Sequence, residues 1–181
     1  MVALSADNIV TLKTSRQIKA CVQKLGKEIA RDYADKDLVL VGVLNGAFMF
    51  LGDLKQKIDP PPTIAFIQVE SYEKTTSSRK VRIIKDLAQP IEGRDVLIVE
   101  DIIDTGHTMQ YLLEHLRTRK PTSLKVCSLL FKPARNIIPV TIDYLGFKIP
   151  NVFVVGYGMD YDGMYRDLPF IGVLPDTKSS Q

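Results

Sequence analysis

The sequence has few cysteines and no long apolar run, and each absence excludes classes of protein. Cys21 and Cys127 are the only cysteines, and they lie far apart among apolar residues. This spacing excludes a disulfide framework and a cysteine metal knuckle, so we expect two reduced core thiols. No apolar run approaches the roughly 18 residues that a bilayer span requires, and the N-terminus lacks the pattern of a signal peptide. We therefore expect a soluble, cytoplasmic protein that does not bind membranes.

An excess of charge of one sign is also missing. The formal net charge is +3 at pH 7, and the lysines and arginines are scattered among acids instead of forming a stripe. A nucleic-acid partner is therefore not expected, whereas a basic pocket for small anions fits this distribution. The chain has 181 residues and 45% hydrophobic content, which suits one globular domain with one core.

What the sequence does contain is one dense stretch, residues 96–108. It opens with four consecutive apolar residues, which are typical of a strand buried on both faces. An acid pair and a Thr-Gly-His-Thr turn come next, and apolar residues then recur at helical spacing. That stripe consists of Met109, Leu112, Leu113 and Leu116. The stretch predicts a strand, a loop of phosphate size and a helix.

The turn at residues 105–108 has the chemistry of an anion site. A helix N-terminus leaves backbone N–H groups unpaired and carries roughly half a positive charge, so it can hold a phosphate. Gly106 lets the backbone approach the anion closely, while Thr105 and Thr108 add hydroxyl donors. These residues predict a phosphate held by fixed dipoles.

Three acids accompany this turn: Glu100, Asp101 and Asp104. Adjacent strand residues point to opposite faces, and an acid pair after an apolar run is also typical of a solvated strand end. The third acid favours a site instead. Carboxylates beside an anion would repel it unless they engaged hydroxyls, a metal ion or a developing cation. A phosphorylated sugar offers all three.

The other periodic segments predict an alternation of helices and strands. Ser15 is the expected N-cap of a first helix, whose apolar stripe is Ile18, Val22, Leu25, Ile29 and Tyr33. A second helix is expected over residues 48–58, before the run of three prolines. Strands are expected at residues 38–44, 63–72, 81–84, 124–131, 144–149 and 152–155.

Residues 96–108 resemble the phosphoribosyl-pyrophosphate signature of the type I phosphoribosyltransferases. The similarity extends from about Val39 to about Pro169 and is greatest to the hypoxanthine-guanine branch of that family. The resemblance implies an α/β fold in which a mostly parallel sheet is flanked by helices. The single domain, residues 1–181, would have a core over about residues 15–149. A small hood would comprise the chain from about residue 150 onward together with the N-terminal arm.

The resemblance also implies an activity. It is the transfer of ribose-5-phosphate from 5-phosphoribosyl-1-pyrophosphate to N9 of hypoxanthine or guanine, which gives IMP or GMP and pyrophosphate in purine salvage. Mg²⁺ would be the cofactor, and the protein would form a homodimer or homotetramer. The alternative is a regulator of the same fold that senses phosphoribosyl pyrophosphate without chemistry. We expect the enzyme, because the full acid set is present and the chain lacks a nucleic-acid-binding extension.

Site residues follow from the same resemblance. The expected contacts to phosphoribosyl pyrophosphate are Glu100, Asp101, Asp104, Thr105, Gly106, His107 and Thr108. Of these, Asp104 would be catalytic and would manage the proton on purine N7. The expected magnesium ligands are Glu100, Asp101 and Asp160. His115 lies eight residues after His107, too far along a helix for a metal pair, so we interpret it as structural.

Pyrophosphate contacts are implied for Asn45, Gly46, Ser71, Tyr72 and Arg166. On sequence alone, Asn-Gly is more often an ordinary turn, but relatives bind pyrophosphate there through backbone groups, often with a non-proline cis peptide. The polar segment at residues 73–80 is either a mobile surface loop or a lid over the reacting sugar. Both interpretations predict a segment that is mobile when the site is empty.

Purine contacts are implied for Lys132, Phe153 and Val154. On pattern alone, a lysine after a strand is as often solvated as functional, and Phe153 is more typical of a core aromatic. Lys132 would donate to the purine 6-oxo group, and Phe153 would stack on the ring. The nearby Gly-x-Gly is not a dinucleotide motif, because Tyr161 occupies the third glycine position.

Overall fold

The computed structural model describes residues 9–73 and 79–174. Its elements follow in the order β1 (Val10–Lys13), α1 (Ser15–Asp32), β2 (Leu38–Leu44), α2 (Phe48–Lys55), β3 (Thr63–Glu73), β4 (Arg79–Lys85), β5 (Asp95–Ile103), α3 (His107–Arg117), β6 (Ser123–Phe131), a short 3₁₀ turn (Pro133–Arg135), β7 (Tyr144–Lys148), β8 (Val154–Val155) and β9 (Ile171–Val173). Helices and strands alternate from β1 to β3 and from β5 to β6, as the periodic segments predict, while β4 lies between β3 and β5 without an intervening helix among the described residues.

The larger sheet has six strands in the order β4-β3-β2-β5-β6-β7. In this sheet β3, β2, β5, β6 and β7 are parallel to one another. The edge strand β4 is antiparallel to its neighbour β3. The strand that carries the acid pair, β5, lies near the centre of the sheet. The expected α/β fold with a mostly parallel sheet is confirmed.

The strands are buried on both faces, and successive residues face different helices. Leu40 and Leu97 belong to the hydrophobic cluster that includes α1 and α2. Their neighbours Val41 and Ile98 belong to the cluster on the other face, with α3. This arrangement explains the continuous apolar runs, because both side-chain directions are covered.

Helix α1 begins at Ser15, and its cap is Thr14 instead of the expected Ser15. The Thr14 hydroxyl accepts from the Gln17 backbone N–H at 3.3 Å, and the Gln17 side chain accepts from the Thr14 N–H at 2.9 Å. This capping box satisfies two donors at once, so it prevails over a cap by Ser15, whose prediction is wrong by one residue.

Two other boundaries differ from the pattern. Helix α2 ends at Lys55, although Ile58 beyond it is still buried in the core. Strand β5 continues through both acids to Ile103, because its ladder with β6 runs on to Phe131. Residues 74–78 of the expected lid lie outside the described residues, so its predicted mobility is not addressed.

A second sheet has three antiparallel strands in the order β1-β9-β8. It joins the first described strand to the last two, in the regions expected to form the hood. Ile9, Val155 and Leu174 are buried together there. Both cysteines are free thiols, and Cys127 is fully buried. Within the described ranges, every helix is too short or too polar to cross a bilayer.

Candidate active site

A cavity of about 600 Å³ lies at the carboxyl ends of β2, β5 and β6, where the small sheet faces the large one. Ligands bind at this edge in open α/β sheets. The cavity brings together residues that are far apart in sequence but were expected to act together: Asn45, Gly46, Glu100, Asp101, Asp104, Thr108, Lys132, Phe153, Val154, Asp160 and Arg166.

The phosphate turn has the predicted geometry. Gly106 is the N-cap of α3 with φ +90°, and a Cβ there would overlap the carbonyl oxygen of Ile138. Glycine is therefore required at this position both by the backbone and by space. Thr105, Gly106 and Thr108 line an adjoining pocket of about 170 Å³. His107 is the first residue of α3 and lines neither pocket, so its expected contact stays a prediction.

The acid pair is buried in the wall of the cavity. Glu100 is 8% exposed and Asp101 is 9% exposed, which excludes a solvated strand end. Burial raises the pKa of Glu100 well above its ordinary value, and the neighbouring charge of Asp101 adds to this shift. Burial also raises the pKa of Asp101. Among the described residues, Glu100 Oε2 has no hydrogen-bond partner, which indicates a group made for a ligand.

Asp104 forms an ion pair that the sequence did not reveal. Its Oδ1 lies 3.0 Å from Nε of Arg135, although the angle is not that of a hydrogen bond. Arg135 also lines the main cavity. The available signal was its position three residues after Lys132, still at the carboxyl edge of the sheet.

Lys132 is buried at the end of β6, with only 7% exposure, so a solvated lysine is excluded. Its backbone N–H donates to the Ile103 carbonyl at 3.0 Å, which fixes it beside Asp104. Burial lowers the pKa of Lys132, and the charge of Asp104 opposes that shift only in part. A partly desolvated ammonium of this kind is a strong donor for a carbonyl oxygen.

Phe153 is 53% exposed and lines the cavity, so the spacing-based expectation of a core aromatic is wrong. Its ring meets that of Tyr161 edge to face at 5.7 Å between centroids. With about half of the residue exposed to the cavity, the ring has surface left for contact with a ligand. Val154 follows in β8 and is buried.

Asp160 and Arg166, expected to bind magnesium and pyrophosphate, form an ion pair at 2.8 Å. Arg166 also donates to the Gly158 carbonyl at 2.6 Å, and the N–H of Gly163 donates to Asp160 at 2.8 Å. These bonds close residues 158–166 into a compact loop. Incoming ligands must therefore compete with the ion pair for both side chains.

The Asn45-Gly46 turn lies directly beneath this loop. The Leu44–Asn45 peptide bond is cis, as the resemblance led us to expect. A Cβ on Gly46 would overlap the Asp101 carboxylate, and a Cβ on Gly158 would overlap the Gly46 carbonyl. Both glycines are thus required by close packing between the turn, the acid strand and the loop. For Ser71 and Tyr72 only backbone pairing with β4 is described, and their contacts stay predictions.

The charge of the cavity differs from the basic pocket expected from composition. Its lining includes four carboxylates, Glu100, Asp101, Asp104 and Asp160, and three cations, Lys132, Arg135 and Arg166. Within the ranges that the structure describes, no three acidic, histidine or cysteine side chains are grouped to hold a metal on their own. A divalent ion there would need ligands from the substrate as well.

Comparisons with known proteins agree with this geometry. Residues 9–162 match the family model described as phosphoribosyl transferase domain. The hypoxanthine-guanine phosphoribosyltransferase of Mycobacterium avium is 51% identical over 170 residues, which cover 90% of this chain and 84% of that protein. The hypoxanthine phosphoribosyltransferase of Salmonella typhimurium is 46% identical over 159 residues, which cover 86% of this chain and 89% of that one.

Solved structures give the same result. The crystal structure of a hypoxanthine phosphoribosyltransferase from Staphylococcus aureus is similar over 100% of both chains, with a TM-score of 0.92 and 43% sequence identity. The family model covers most of the chain, and relatives of about half-identical sequence cover nearly all of it. On these grounds the chain belongs to the phosphoribosyltransferase family.

Proposed function

We propose that the protein transfers the ribose-5-phosphate group of 5-phosphoribosyl-1-pyrophosphate to N9 of hypoxanthine or guanine. The products are IMP or GMP and pyrophosphate, and the role is purine salvage. One observation carries the proposal: two adjoining cavities bring together a phosphate turn, a buried acid pair, a carboxylate near a buried lysine and an exposed aromatic ring. The named relatives are enzymes with this activity, and none supports the regulator alternative.

The phosphate and sugar ends of the substrate would bind to β5 and α3. The 5′-phosphate accepts from the N-terminal N–H groups of α3 and from the hydroxyls of Thr105 and Thr108. Glu100 and Asp101 accept from the ribose hydroxyls, which gives the orphaned Glu100 oxygen a partner. As pyrophosphate departs, positive charge develops on the sugar, and these carboxylates stabilise it. The turn at Asn45 and Gly46, together with Arg166, holds the leaving group.

The purine end would bind against the small sheet. Phe153 stacks on the ring and Val154 meets its edge through backbone groups. Lys132 donates to the 6-oxo oxygen, while Asp104 accepts the N7 hydrogen as N9 attacks the sugar. The exposure of Phe153 in the cavity and the burial of Lys132 support their roles in stacking and in donating to the 6-oxo oxygen.

Mg²⁺ fits the donor set as a cofactor that arrives with its substrate. Glu100, Asp101 and Asp160 would hold the ion through carboxylate oxygens, the ligands it prefers, and substrate phosphates would supply further oxygens. When bound, the ion neutralises charge on the departing pyrophosphate. We also propose that residues 1–181 form one domain and that the protein assembles as a homodimer or homotetramer, which sedimentation can measure.

An ultraviolet assay tests the function directly. Purified protein is mixed with hypoxanthine, phosphoribosyl pyrophosphate and Mg²⁺, and IMP formation is followed. A chelator in excess over the magnesium should abolish turnover, and Asp104→Asn should lower kcat by about 10²- to 10⁴-fold. A protein that binds phosphoribosyl pyrophosphate but forms no nucleotide from hypoxanthine or guanine would instead be the regulator.

A further inference from the structure

We propose that Arg135 is a positioning residue that holds one carboxylate oxygen of Asp104, so that the other oxygen faces the purine. The inference rests on the proposed function, because it concerns the group that takes the N7 hydrogen. Arg135 lines the cavity but is not among the groups proposed to contact the reacting atoms. Its effect on the reaction would come entirely through Asp104.

The first support is the geometry of the ion pair. Oδ1 of Asp104 is buried and lies 3.0 Å from Nε of Arg135, while the Asp104 side chain as a whole is 29% exposed. Since Oδ1 is covered, only Oδ2 can accept a hydrogen bond from a ligand in the cavity. A guanidinium keeps its charge at every working pH and presents donors in a fixed plane, which suits it to hold a carboxylate.

The second support is how the backbone places Arg135. The N–H of Lys132, just before the 3₁₀ turn, donates to the Ile103 carbonyl at 3.0 Å. After the turn, the N–H groups of Ile137 and Ile138 both donate to the Thr105 carbonyl, at 3.1 and 3.0 Å. The segment that carries Arg135 is therefore bonded to the residues on either side of Asp104. This double attachment fixes the spacing between the two side chains.

The third support is the competing cation. Lys132 interacts electrostatically with Asp104, and it lies on the same segment as Arg135. Without Arg135, the carboxylate would be free to turn toward the ammonium. That movement would remove the acceptor from N7 and the donor from the 6-oxo group together. Arg135 thus keeps the proton acceptor and the purine donor apart.

A double-mutant cycle tests this role. The four proteins are the wild type, Arg135→Gln, Asp104→Asn and the double variant, each assayed for kcat and for both KM values. We expect Arg135→Gln to lower kcat by about 10- to 100-fold, the loss typical of a misplaced reacting group, with KM for phosphoribosyl pyrophosphate unchanged. In the Asp104→Asn background the same change should alter kcat by less than about twofold, because an interaction made only through Asp104 is already lost.

Two further variants serve as controls. Arg117→Gln removes an exposed arginine from the last turn of α3 and should leave kcat unchanged. Arg135→Lys keeps the charge without the planar fork, so it should restore part of the activity, and it replaces Arg135→Gln in the cycle if that variant does not fold. Thermal melting of each protein shows whether it is folded.

Three outcomes would overturn the inference. Full activity of Arg135→Gln would mean that Asp104 needs no such support. Equal losses from Arg135→Gln in both backgrounds would assign Arg135 a role independent of Asp104. A raised KM for phosphoribosyl pyrophosphate in both backgrounds would make it a direct substrate contact. Failure of the proposed function is distinct from all three, since the wild type itself would then form no nucleotide.

Discussion

At the scale of single residues, the reaction depends on a few side chains that are buried against their usual preference. Lysine is rarely buried unless it is paired, yet Lys132 is 7% exposed at the end of β6. Desolvation of this kind has a cost, which an acceptor from the substrate can offset. The position is therefore selective, because an ammonium offers only donors and rejects a ligand that also presents a donor.

The donor-only chemistry of Lys132 predicts base selectivity. Adenine carries a 6-amino group where hypoxanthine carries an oxygen. The Lys132 ammonium and this amino group are both donors, so neither would find an acceptor in the other. Sites built to pair a polar group reject an analogue lacking it by roughly 10⁴-fold, so we expect at least this ratio in kcat/KM. The measurement compares hypoxanthine and adenine turnover in the wild type and in Lys132→Ala. Lys132→Ala should lose most of its activity on hypoxanthine, so the ratio of kcat/KM for hypoxanthine to kcat/KM for adenine should fall.

Lys125→Ala is the matched control for this prediction, because Lys125 lies on the same strand but at its other end. It should leave the ratio unchanged. Adenine turnover within about tenfold of hypoxanthine, a difference of only about 1.4 kcal/mol, would contradict both the role of Lys132 and the 6-oxopurine assignment.

At the scale of elements, the loop at residues 158–166 is packed on the turn at Asn45 and Gly46. Gly158 has φ +101°, and a Cβ there would overlap the Gly46 carbonyl. We expect Gly158→Ala to destabilise the protein by about 1–3 kcal/mol and to lower kcat/KM for phosphoribosyl pyrophosphate. Thermal melting and steady-state kinetics measure the two effects.

Gly163 provides the control that separates backbone strain from contact. It has φ +78° in the same loop, but a Cβ there would meet nothing within 4 Å. Gly163→Ala should therefore lower stability through backbone strain but leave kcat/KM for phosphoribosyl pyrophosphate unchanged. Equal kinetic losses in the two variants would show that the contact between the loop and the turn does not matter for the substrate.

A second element-scale contact lies behind the active site, where α3 meets the residues that follow β4. His115 Nε2 lies 2.9 Å from Asp86 Oδ2, Arg119 pairs with the same oxygen, and the Leu87 N–H donates to Asp86 at 2.7 Å. Burial alone would raise the pKa of Asp86, but these hydrogen bonds and charges hold it below its ordinary value. His115 is thus structural, as the sequence indicated.

This cluster predicts acid-dependent stability. A carboxyl whose pKa is lowered by folding contributes its full stabilisation at pH values above its pKa in the unfolded chain, about 3.9. This stabilisation is lost as the pH falls through the pKa of the same carboxyl in the folded protein. We expect Asp86→Asn to cost about 1–2 kcal/mol at pH 7, with the difference from wild type narrowing below about pH 4. Urea unfolding across this pH range measures it.

The exposed Asp35 supplies a control, since Asp35→Asn should change little at any pH. A difference between Asp86→Asn and wild type that stayed constant down to pH 3 would contradict the electrostatic account. It would indicate that the substitution acts through packing instead.

At the scale of the whole molecule, the fold was largely predictable and the fine geometry of the site was not. The apolar run of β5 indicated a buried central strand because both faces are covered by helices. Resemblance then assigned residues to the cavity that periodicity alone would misplace, above all Phe153, which pattern favours as core but which is 53% exposed. Its exposure depends on how two distant segments meet, and local periodicity does not report that.

Most of the features that sequence reasoning missed are long-range contacts. In the sequence, Arg135 is indistinguishable from any loop arginine. It lies beside Asp104 because the backbone on either side of it is hydrogen-bonded to Ile103 and Thr105. Gly158 looks like part of a common Gly-x-Gly until the carbonyl of Gly46 is found against it. The cap at Thr14 is the exception, because its Gln three residues later was visible in the sequence.

The small sheet predicts that the N-terminal strand supports purine binding. Strand β9 lies between β1 and β8, and Phe153 directly precedes β8. Deleting residues 2–13 removes β1, so β9 and then β8 should loosen. We expect KM for hypoxanthine to rise roughly tenfold, or about 1.4 kcal/mol, while KM for phosphoribosyl pyrophosphate changes little. Steady-state kinetics with each substrate varied in turn measures both values.

A chain lacking only residues 2–8 is the matched comparison, because it keeps β1, so the difference between the two shortened chains isolates the effect of β1. Equal increases in both KM values on deleting residues 2–13 would contradict the prediction. They would mean that β1 stabilises the entire protein and not the purine end in particular.

The order β1-β9-β8 also has a consequence for the newly made chain. A ribosome delivers β1 long before β8 and β9, and among the strands that the structure describes in this sheet only β9 pairs with β1 or with β8. All six described strands of the large sheet, together with the phosphate turn, precede β9 in the chain. This part can therefore fold while synthesis continues. We therefore expect the large sheet to form during translation, whereas the small sheet behind Phe153 is completed only when Ile171–Val173 leaves the exit tunnel.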